Sequence, residues 1–239
     1  TNATIALAGR AISNTTYAKY INSPETEFYK KGSNLYNICN VKKLNQSSEE
    51  VFILEGYMDV ISLTKFGINN VVANMGTALT ERQLDLIWRF FKYPIICLDG
   101  DKSGKNASVR AAERLFPFIK SGHSIYFLNL PENKDPDSYI HQYGKNSFLD
   151  LLKNKKEIQN FIWDSYYEEI DKNSPQSLAL FEKKIKKICN QIKDSTLRKY
   201  FYEDFSKKLN LLTPSINLKR NRNYNFRKIQ NPLRETKKI

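Results

Sequence analysis

Between residues 51 and 130 the sequence alternates short apolar runs with helix-like segments, and this alternation constrains the fold more than any other feature. The runs are VFILEG (51–56), NVVANMG (70–76), IICLDG (95–100) and SIYFLNL (124–130). Short strands that alternate with helices form parallel βαβ units, whose ligands gather at the carboxyl ends of the strands. The sequence therefore predicts an α/β domain.

Helical periodicity supports this alternation. The segment TERQLDLIWRFF (80–91) opens with Thr80, a residue type that caps helices, and carries apolar residues on one face: Leu84, Ile87, Trp88 and Phe91. A further helix is predicted over Ser108–Ile119. After residue 140 the sequence changes to long helical stretches rich in Lys and Glu, of which the first runs from Phe148 to Ile170. They predict an all-α bundle over 141–213.

The formal net charge of +13 is distributed unevenly. Residues 51–140 carry ten basic and ten acidic side chains, whereas residues 214–239 carry eight basic and one acidic side chain. A neutral centre flanked by basic segments is the balance expected of an acidic metal site that serves a polyanion. A bias in genome composition explains the abundance of Lys and Asn equally well. Segment 214–239, which contains prolines and several asparagines, is predicted to be a flexible tail.

Several classes of protein are disfavoured. The sequence has no apolar run of 18 residues and no signal-like leader, so we expect a cytoplasmic protein without a membrane span. Cys39, Cys97 and Cys189 lie far apart and form no CxxC pair, which argues against a disulfide framework or a zinc site. We expect them to be buried free thiols. Because the chain begins at Thr1, we expect it to be a piece of a longer protein.

The segment LDGDKSG (98–104) has three interpretations. An EF-hand calcium loop needs an acid at its twelfth position, but the twelfth residue counted from Asp99 is Arg110. A phosphate-binding loop needs four residues before its Gly-Lys pair and Ser or Thr after it, whereas three intervene here and Asn106 follows. The third interpretation is a catalytic magnesium site at a strand end, and neither of these objections applies to it.

Acidic residues follow the predicted strands at positions that meet at one edge of a parallel sheet. Asp99 and Asp101 are two residues apart on extended chain, so we expect their carboxylates on the same side. Glu55 ends the first strand, and Asp135 and Asp137 follow the fourth. So many acids at one edge are electrostatically costly without cations. The pattern therefore predicts a site for a divalent cation.

Four segments resemble the successive motifs of a Toprim domain, the magnesium-binding fold shared by bacterial primases, type IA and II topoisomerases and some nucleases. They are EGYMDVI, NMGTALT, CLDGDKSGKNAS and LPENKDPDSYI. EGYMDV, LDGDKSGKNAS and KDPD narrow the resemblance to the polymerase core of the bacterial DnaG-type primases. The upstream AGRAISNTTYAKYINSPETEFYKKGSNLYN resembles the basic stretch that precedes the Toprim domain in that family.

The resemblance implies an α/β fold, in which a Toprim domain has a central, mostly parallel sheet flanked by helices. Part of a basic α+β subdomain would precede it and a helical bundle would follow. The implied division is a partial N-terminal basic subdomain over 1–50, the Toprim catalytic domain over 51–140, a C-terminal helical subdomain over 141–213 and a basic tail or linker over 214–239.

The resemblance also implies roles for individual residues. The acids of the metal site would be Glu55, Asp59, Asp99, Asp101, Asp135 and Asp137. The catalytic residues among them would be Glu55, Asp99 and Asp101. A set that combines cations, an aromatic face and small hydrogen-bonding groups would contact nucleic acid or nucleotide: Arg10, Lys19, Tyr20, Asn22, Ser23 and Lys31.

The implied function is that of a DNA primase, a nucleotidyltransferase that makes a short RNA primer on a single-stranded DNA template from ribonucleoside triphosphates. The implied cofactor is Mg²⁺ or Mn²⁺, with no zinc in this part of the protein. A replicative helicase would be contacted through a domain absent from this chain. One alternative is a Toprim-type nuclease or topoisomerase fragment, although none of the 14 tyrosines stands in a recognisable nucleophile context. The other is a noncatalytic nucleic-acid binder.

Overall fold

A computed structural model describes residues 3–12, 20–44, 48–74 and 78–212 of the chain. The strands are β1 (Ala8–Arg10), β2 (Tyr20–Asn22), β3 (Glu50–Leu54), β4 (Val71–Ala73), β5 (Tyr93–Leu98), β6 (Tyr126–Asn129) and β7 (Lys156–Glu157). The α-helices are α1 (Ile38–Val41), α2 (Tyr57–Lys65), α3 (Glu81–Trp88), α4 (Lys102–Leu115), α5 (Pro136–Asp150), α6 (Ile158–Glu168), α7 (Pro175–Asn190) and α8 (Ser195–Leu212). Short 3₁₀ helices span Lys31–Ser33, Lys42–Leu44, Phe116–Phe118 and Leu151–Asn154.

Five strands form the central sheet in the order β4-β3-β5-β6-β7, and β1 and β2 form a separate antiparallel pair. Strands β4, β3, β5 and β6 are parallel, whereas β7 runs antiparallel to β6 at one edge. At the opposite edge Tyr36 makes an isolated antiparallel bridge with Ala73 of β4. The prediction of a central, mostly parallel sheet flanked by helices is confirmed.

Helices cover both faces of the sheet, because consecutive residues of a buried strand point to opposite sides. Ile53 and Ile96 belong to one core cluster, which also contains side chains of α3, α4, α6, α7 and α8. Phe52 and Leu54 belong to the other cluster, together with side chains of α2 and α5. Helices α6, α7 and α8 therefore extend the packing on one face of the sheet and do not enclose a core of their own.

The predicted cap and apolar face of α3 are confirmed. The Thr80 hydroxyl accepts a hydrogen bond from the Gln83 N–H at 3.2 Å, and the Gln83 side chain accepts one from the Thr80 N–H at 3.0 Å. This reciprocal pair is a capping box. The predicted apolar residues are all buried: Leu84, Ile87, Trp88 and Phe91. The sequence pattern therefore gives both the start and the orientation of this helix.

The predicted start of the next helix is wrong. Helix α4 begins at Lys102 rather than at Ser108. It begins early because a carboxylate oxygen of Asp101 accepts a hydrogen bond from the Gly104 N–H at 2.6 Å, which satisfies one of the free donors in the first turn. The chain consequently leaves β5 and enters α4 within three residues.

The single helical stretch predicted from Phe148 onward is also wrong. Helix α5 ends at Asp150, a 3₁₀ turn follows, and residues 156–157 form the antiparallel strand β7 before α6 begins. Within β7, Lys156 is paired with Phe127 of β6. This pairing occupies backbone groups that β6 would otherwise expose at the edge of the sheet.

Three smaller expectations have different outcomes. Cys97 and Cys189 are buried, but Cys39 is exposed, because α1 is only four residues long and buries Val41 alone. No helix in the described part of the chain is long and apolar enough to cross a membrane. The basic tail predicted over 214–239 lies outside the described residues.

Two glycines allow the loop after β5 to pack against its surroundings. A Cβ atom added at Gly104 would lie 2.1 Å from the Asp99 carbonyl oxygen, and one added at Gly100 would lie 2.0 Å from the Pro131 carbonyl oxygen. Both contacts are with backbone, so no side-chain rotation relieves them. The Gly100 N–H also donates a hydrogen bond to the Lys134 carbonyl oxygen at 2.8 Å, which links this loop to the one after β6.

We expect the substitution Gly104→Ala to lower the free energy of unfolding by about 1–3 kcal/mol, because the added methyl group overlaps a backbone oxygen in a tightly packed loop. Urea unfolding followed by circular dichroism measures this change. The control is Ser103→Ala, which alters the adjacent, exposed position of the same helical turn. Equal unfolding free energies for the two variants would contradict the predicted contact.

Candidate active site

The acids predicted from the sequence lie at one edge of the sheet. Glu55 directly follows β3, and Asp99 directly follows β5. Asp135 is the N-cap of α5, in the connection after β6, and Asp59 lies in the first turn of α2. Because β3, β5 and β6 are parallel, their carboxyl ends meet at the same edge. The topology therefore brings together acids that are up to 80 positions apart in the sequence.

A cleft of about 380 Å³ opens at this edge. Five of the six predicted metal-site acids line it: Glu55, Asp59, Asp99, Asp135 and Asp137. Three of the predicted nucleic-acid contacts line the same cleft: Arg10, Tyr20 and Asn22. The cleft thus places a group of carboxylates opposite a cation, an aromatic ring and a carboxamide from the β1–β2 pair.

Asp101, the sixth predicted acid, does not line the cleft. The sharing of one cation by the Asp99 and Asp101 carboxylates stays a prediction. The Asp101 carboxylate caps α4 by accepting a hydrogen bond from the Gly104 N–H at 2.6 Å, as the Asp135 carboxylate caps α5. Its negative charge still acts on Asp99, whose pKa it helps to raise.

Asp59 has the most perturbed acid–base equilibrium among the cleft carboxylates. Burial, as the main cause, and the negative charges of Asp99 and Asp135 together raise its pKa to about 7, since both factors disfavour the ionised form. A hydrogen bond from the Asp137 N–H to Asp59 Oδ1, at 3.3 Å, acts in the opposite direction. Asp59 is therefore a carboxyl group that holds its proton close to neutral pH.

Asp99 shows the same behaviour to a smaller degree. Burial is the main cause that raises its pKa to about 6, followed by the charges of Glu55, Asp135 and Asp101. These acids come from three different connections, so the effect is a property of the folded arrangement. Two neighbouring carboxyl groups, Asp59 and Asp99, thus both resist ionisation in the absence of a compensating positive charge.

Asp135 and Asp137 are held by hydrogen bonds at the start of α5. Asp135 Oδ1 accepts from the Ser138 N–H at 2.6 Å, which caps the helix. Asp137 Oδ1 accepts from the hydroxyl of the buried Ser62 at 2.5 Å and lies 3.4 Å from His141 Nε2. The sequence analysis missed Ser62 and His141 as neighbours of the site.

A sequence signal for both missed residues exists. Ser62 follows Asp59 by three positions on α2, and His141 follows Asp137 by four positions on α5. Residues three or four apart lie on the same face of a helix. Polar residues at these spacings from a predicted site acid therefore lie on the helix face that borders the site, where they can contact that acid or a neighbouring one.

The β1–β2 pair is held against the start of α2 by aromatic contacts. The Arg10 guanidinium lies 5.7 Å from the centre of the Tyr20 ring, within the range of a cation–π contact. The Tyr20 ring meets the Tyr57 ring edge-on at a centroid distance of 5.9 Å, and Tyr57 lies 6.0 Å from Tyr36. These contacts orient Arg10 and Tyr20 towards the acids.

The other predicted nucleic-acid contacts are placed differently. The Ser23 hydroxyl bonds with the backbone of Leu7, which joins the two strands of the pair. The Lys31 carbonyl oxygen accepts from the Gln83 side chain at 2.9 Å, and Lys31 does not line the cleft. Lys19 lies outside the described residues. Three of the six residues predicted to contact nucleic acid, Arg10, Tyr20 and Asn22, therefore line the acidic cleft.

The carboxylates suit a hard divalent cation by their chemistry, because such cations prefer oxygen ligands. Among the described residues, no group of three or more His, Cys, Asp or Glu side chains is arranged so that it could hold a metal ion by itself. Mg²⁺ is usually held by one or two carboxylates together with water and substrate phosphates, so it does not need such a set. The raised pKa values of Asp59 and Asp99 show that positive charge is favoured in this cleft.

Two family models match the chain. A model described as the N-terminal domain of the DNA primase catalytic core matches residues 1–42. A model described as Toprim-like matches residues 52–140, which contain all six predicted acids.

Curated relatives include the DNA primase of Pasteurella multocida (strain Pm70), which is 34% identical over 209 residues, and that of Escherichia coli (strain K12), which is 33% identical over 211 residues. The two alignments cover 87% and 88% of this chain but only 36% of each relative. The chain therefore spans about a third of the length of these primases.

Solved structures agree with the sequence matches. A structure of the DnaG catalytic core has a TM-score of 0.77 at 32% identity and is matched over 86% of this chain and 66% of its own. The DnaG primase catalytic domain bound to ssDNA has a TM-score of 0.79 at 32% identity, with coverages of 87% and 65%. A DNA primase domain from Pseudomonas aeruginosa has a TM-score of 0.79 at 31% identity, with coverages of 88% and 64%. In both sequence and fold, the chain belongs to the bacterial DnaG-type DNA primase family and corresponds to part of its catalytic core.

Proposed function

We propose that this chain carries the nucleotidyl-transfer site of a DNA primase, which makes a short RNA primer on single-stranded DNA from ribonucleoside triphosphates. The observation that carries the proposal is the composition of the cleft. Carboxylates from the β3, β5 and β6 connections face a cation and an aromatic ring from the β1–β2 pair. Such a cleft suits a substrate that has phosphates bound to divalent cations and a base that stacks.

We propose Glu55, Asp99 and Asp101 as the catalytic acids, with Asp59, Asp135 and Asp137 completing the set that holds Mg²⁺ or Mn²⁺. Bound at this edge, divalent cations would neutralise charge on the transferring phosphoryl group and on the departing pyrophosphate. The protein's own contribution is to hold these oxygen ligands on rigid strand ends and helix caps. Asp101 would turn from its cap position to join a metal ion, or would act on it through its charge alone.

The β1–β2 pair would bind the nucleotide side of the reaction. Arg10, which lines the cleft, would pair with a phosphate oxygen, and the Tyr20 ring would stack with a base of any identity. Asn22 supplies hydrogen-bonding groups at the same wall of the cleft. The roles of Lys19, Ser23 and Lys31 in binding template or nucleotide stay predictions.

The relatives support a polymerase rather than a nuclease. The matched proteins are named DNA primases, and one matched structure is a DnaG catalytic domain bound to ssDNA. We therefore propose a single-stranded DNA template, an RNA primer and ribonucleoside triphosphates as the substrates. Contact with a replicative helicase through another part of the full-length protein is proposed on the family resemblance alone. The nuclease or topoisomerase alternative receives no support from these matches.

We expect Asp99→Ala to reduce primer extension by at least about 100-fold, because metal-assisted charge stabilisation contributes several kcal/mol and each 1.4 kcal/mol corresponds to a factor of ten. Labelled ribonucleotides are offered with Mg²⁺ or Mn²⁺ on a single-stranded DNA template that carries a short annealed RNA. Affinity for the template should remain within about twofold, since the acid does not bind phosphate directly.

The matched control for this experiment is Asp150→Ala. Asp150 is exposed and lies at the far end of α5, and within the described part of the chain its side chain pairs with Lys153 alone, a type of contact that contributes little to stability. It should extend primers like the wild type. A shortened template without extension would favour the nuclease alternative. Equal loss of extension and template affinity in Asp99→Ala would indicate that Asp99 supports the fold instead.

We expect the metal-free chain to lose stability progressively as the pH rises from about 4, the ordinary pKa of an Asp side chain, to about 7. The folded state raises the pKa of Asp99 to about 6 and that of Asp59 to about 7, so it holds protons that the unfolded chain has released. Asp59→Asn removes part of this penalty and should raise the free energy of unfolding at pH 7.5 by about 1–3 kcal/mol, with little effect at pH 4.

Thermal unfolding with and without Mn²⁺ checks this pH dependence. Mn²⁺ should raise the Tm of the wild type more at pH 7.5 than at pH 5, because the carboxylates must be deprotonated to bind it. Asp150→Asn serves as the control and should leave the profile unchanged. A Tm increase that is the same at both pH values would contradict the placement of these acids around the cation.

A further inference from the structure

We propose that a second cleft, on the other side of Glu55, binds the 3′ end of the primer strand, and that Arg110 and Arg114 of α4 contact its phosphates. The inference deepens the proposed function and rests on it, because a primer strand is a substrate only of a polymerase. It adds a binding surface for the second of the two reacting molecules.

The second cleft has a volume of about 240 Å³ and lies between α4 and the ends of β3 and β5. Its floor is largely aliphatic and includes Ile53, Ile96 and Leu98. Glu55, Arg110 and Arg114 stand at its polar rim. Glu55 also lines the acidic cleft, so the two clefts meet at this carboxylate.

No described contact of the Arg110 or Arg114 side chain stabilises the fold. Both are exposed, and neither side chain makes a hydrogen bond or ion pair with any residue that the structure describes. They are one helical turn apart, where like charges destabilise a helix slightly. The acid between them, Glu113, accepts a hydrogen bond from the Tyr166 hydroxyl at 2.6 Å and does not neutralise them. The two guanidinium groups are therefore available to an anion.

The chemistry of nucleotidyl transfer requires two ligands at one site. The α-phosphate of the incoming nucleotide and the 3′-hydroxyl of the growing strand must approach each other at the metal-binding acids. Arg10 and Tyr20 occupy the α2 and α5 side of Glu55, and we assign the nucleotide to that side. The cleft on the α4 side is then the route by which the strand terminus reaches the same carboxylate.

The composition of the second cleft fits a strand backbone. Arginine binds phosphate oxygens through paired, planar donors, which suits phosphodiester groups. An aliphatic floor contacts sugars and base faces without reading base edges, as binding to a primer of any sequence requires. A triphosphate has the same phosphate chemistry, so the test must distinguish these two sources.

The first measurement is binding without catalysis. Fluorescence anisotropy in the absence of nucleotides compares the affinity of the 239-residue chain for a template with an annealed RNA and for the same template unprimed. We expect Arg110→Gln combined with Arg114→Gln to weaken binding to the primed template by about tenfold or more, since two charged contacts are lost. Affinity for the unprimed template should change by less than about twofold.

The dependence of binding on salt gives a readout that a purely structural role does not affect. Each lost phosphate contact should reduce the slope of log affinity against log salt concentration by about 0.7 to 0.9. Arg110→Lys retains the charge and should keep the slope while losing part of the affinity. The control is Arg89→Gln, an exposed arginine at the far end of α3 whose substitution should change neither quantity.

Steady-state extension separates the two phosphate sources. The double variant should raise the KM for primed template and leave the KM for ribonucleoside triphosphate unchanged. A raised KM for the triphosphate alone would assign the arginines to the incoming nucleotide and overturn the proposal, as would equal weakening on primed and unprimed templates or no weakening at all. A wild type that binds primed template but extends nothing would refute the proposed function, and the binding comparison would still decide the role of the arginines.

Discussion

Repulsion among carboxylates at one edge of a parallel sheet is the constraint on which the rest of this structure depends. The βαβ topology places acids from separate connections around one cleft, and burial strengthens their mutual effect. The fold reduces the cost locally, since Asp101 and Asp135 each accept a backbone N–H at a helix start. The remaining repulsion, together with burial, raises the pKa values of Asp59 and Asp99. A divalent cation would remove it, which connects the electrostatics of the fold to the proposed chemistry.

Much of the sheet and of its acidic edge could be predicted, because each depends on local patterns. Buried parallel strands appear as short apolar runs, and an acid that follows such a run is placed by topology alone. The capping box of α3 is predictable for the same reason, since Thr80 and Gln83 are three residues apart. The family resemblance then supplied roles that spacing could not assign to individual acids.

The remaining features depend on contacts between distant segments, which no local pattern contains. Strand β7 exists because β6 offers it a partner, although residues 156–157 lie in a stretch with helical character. Asp101 has the spacing of a metal ligand, but its carboxylate accepts a hydrogen bond from the Gly104 N–H and does not line the cleft. The sequence gives Arg110 no feature that distinguishes it from other surface cations, whereas the fold places it at a cleft that Glu55 also lines.

The bridge between Tyr36 and Ala73 has a further consequence for the behaviour of the protein in solution. Strand β4 would otherwise be an open edge of the sheet, and open edges pair with other molecules and promote aggregation. Two backbone hydrogen bonds join Tyr36 to Ala73, at 2.9 and 3.3 Å, while β7 occupies the opposite edge. The segment that leads from the β1–β2 pair into the sheet therefore shields β4. Tyr36, whose ring lies 6.0 Å from that of Tyr57, therefore contacts the start of α2 and at the same time protects this edge of the sheet from pairing with other molecules.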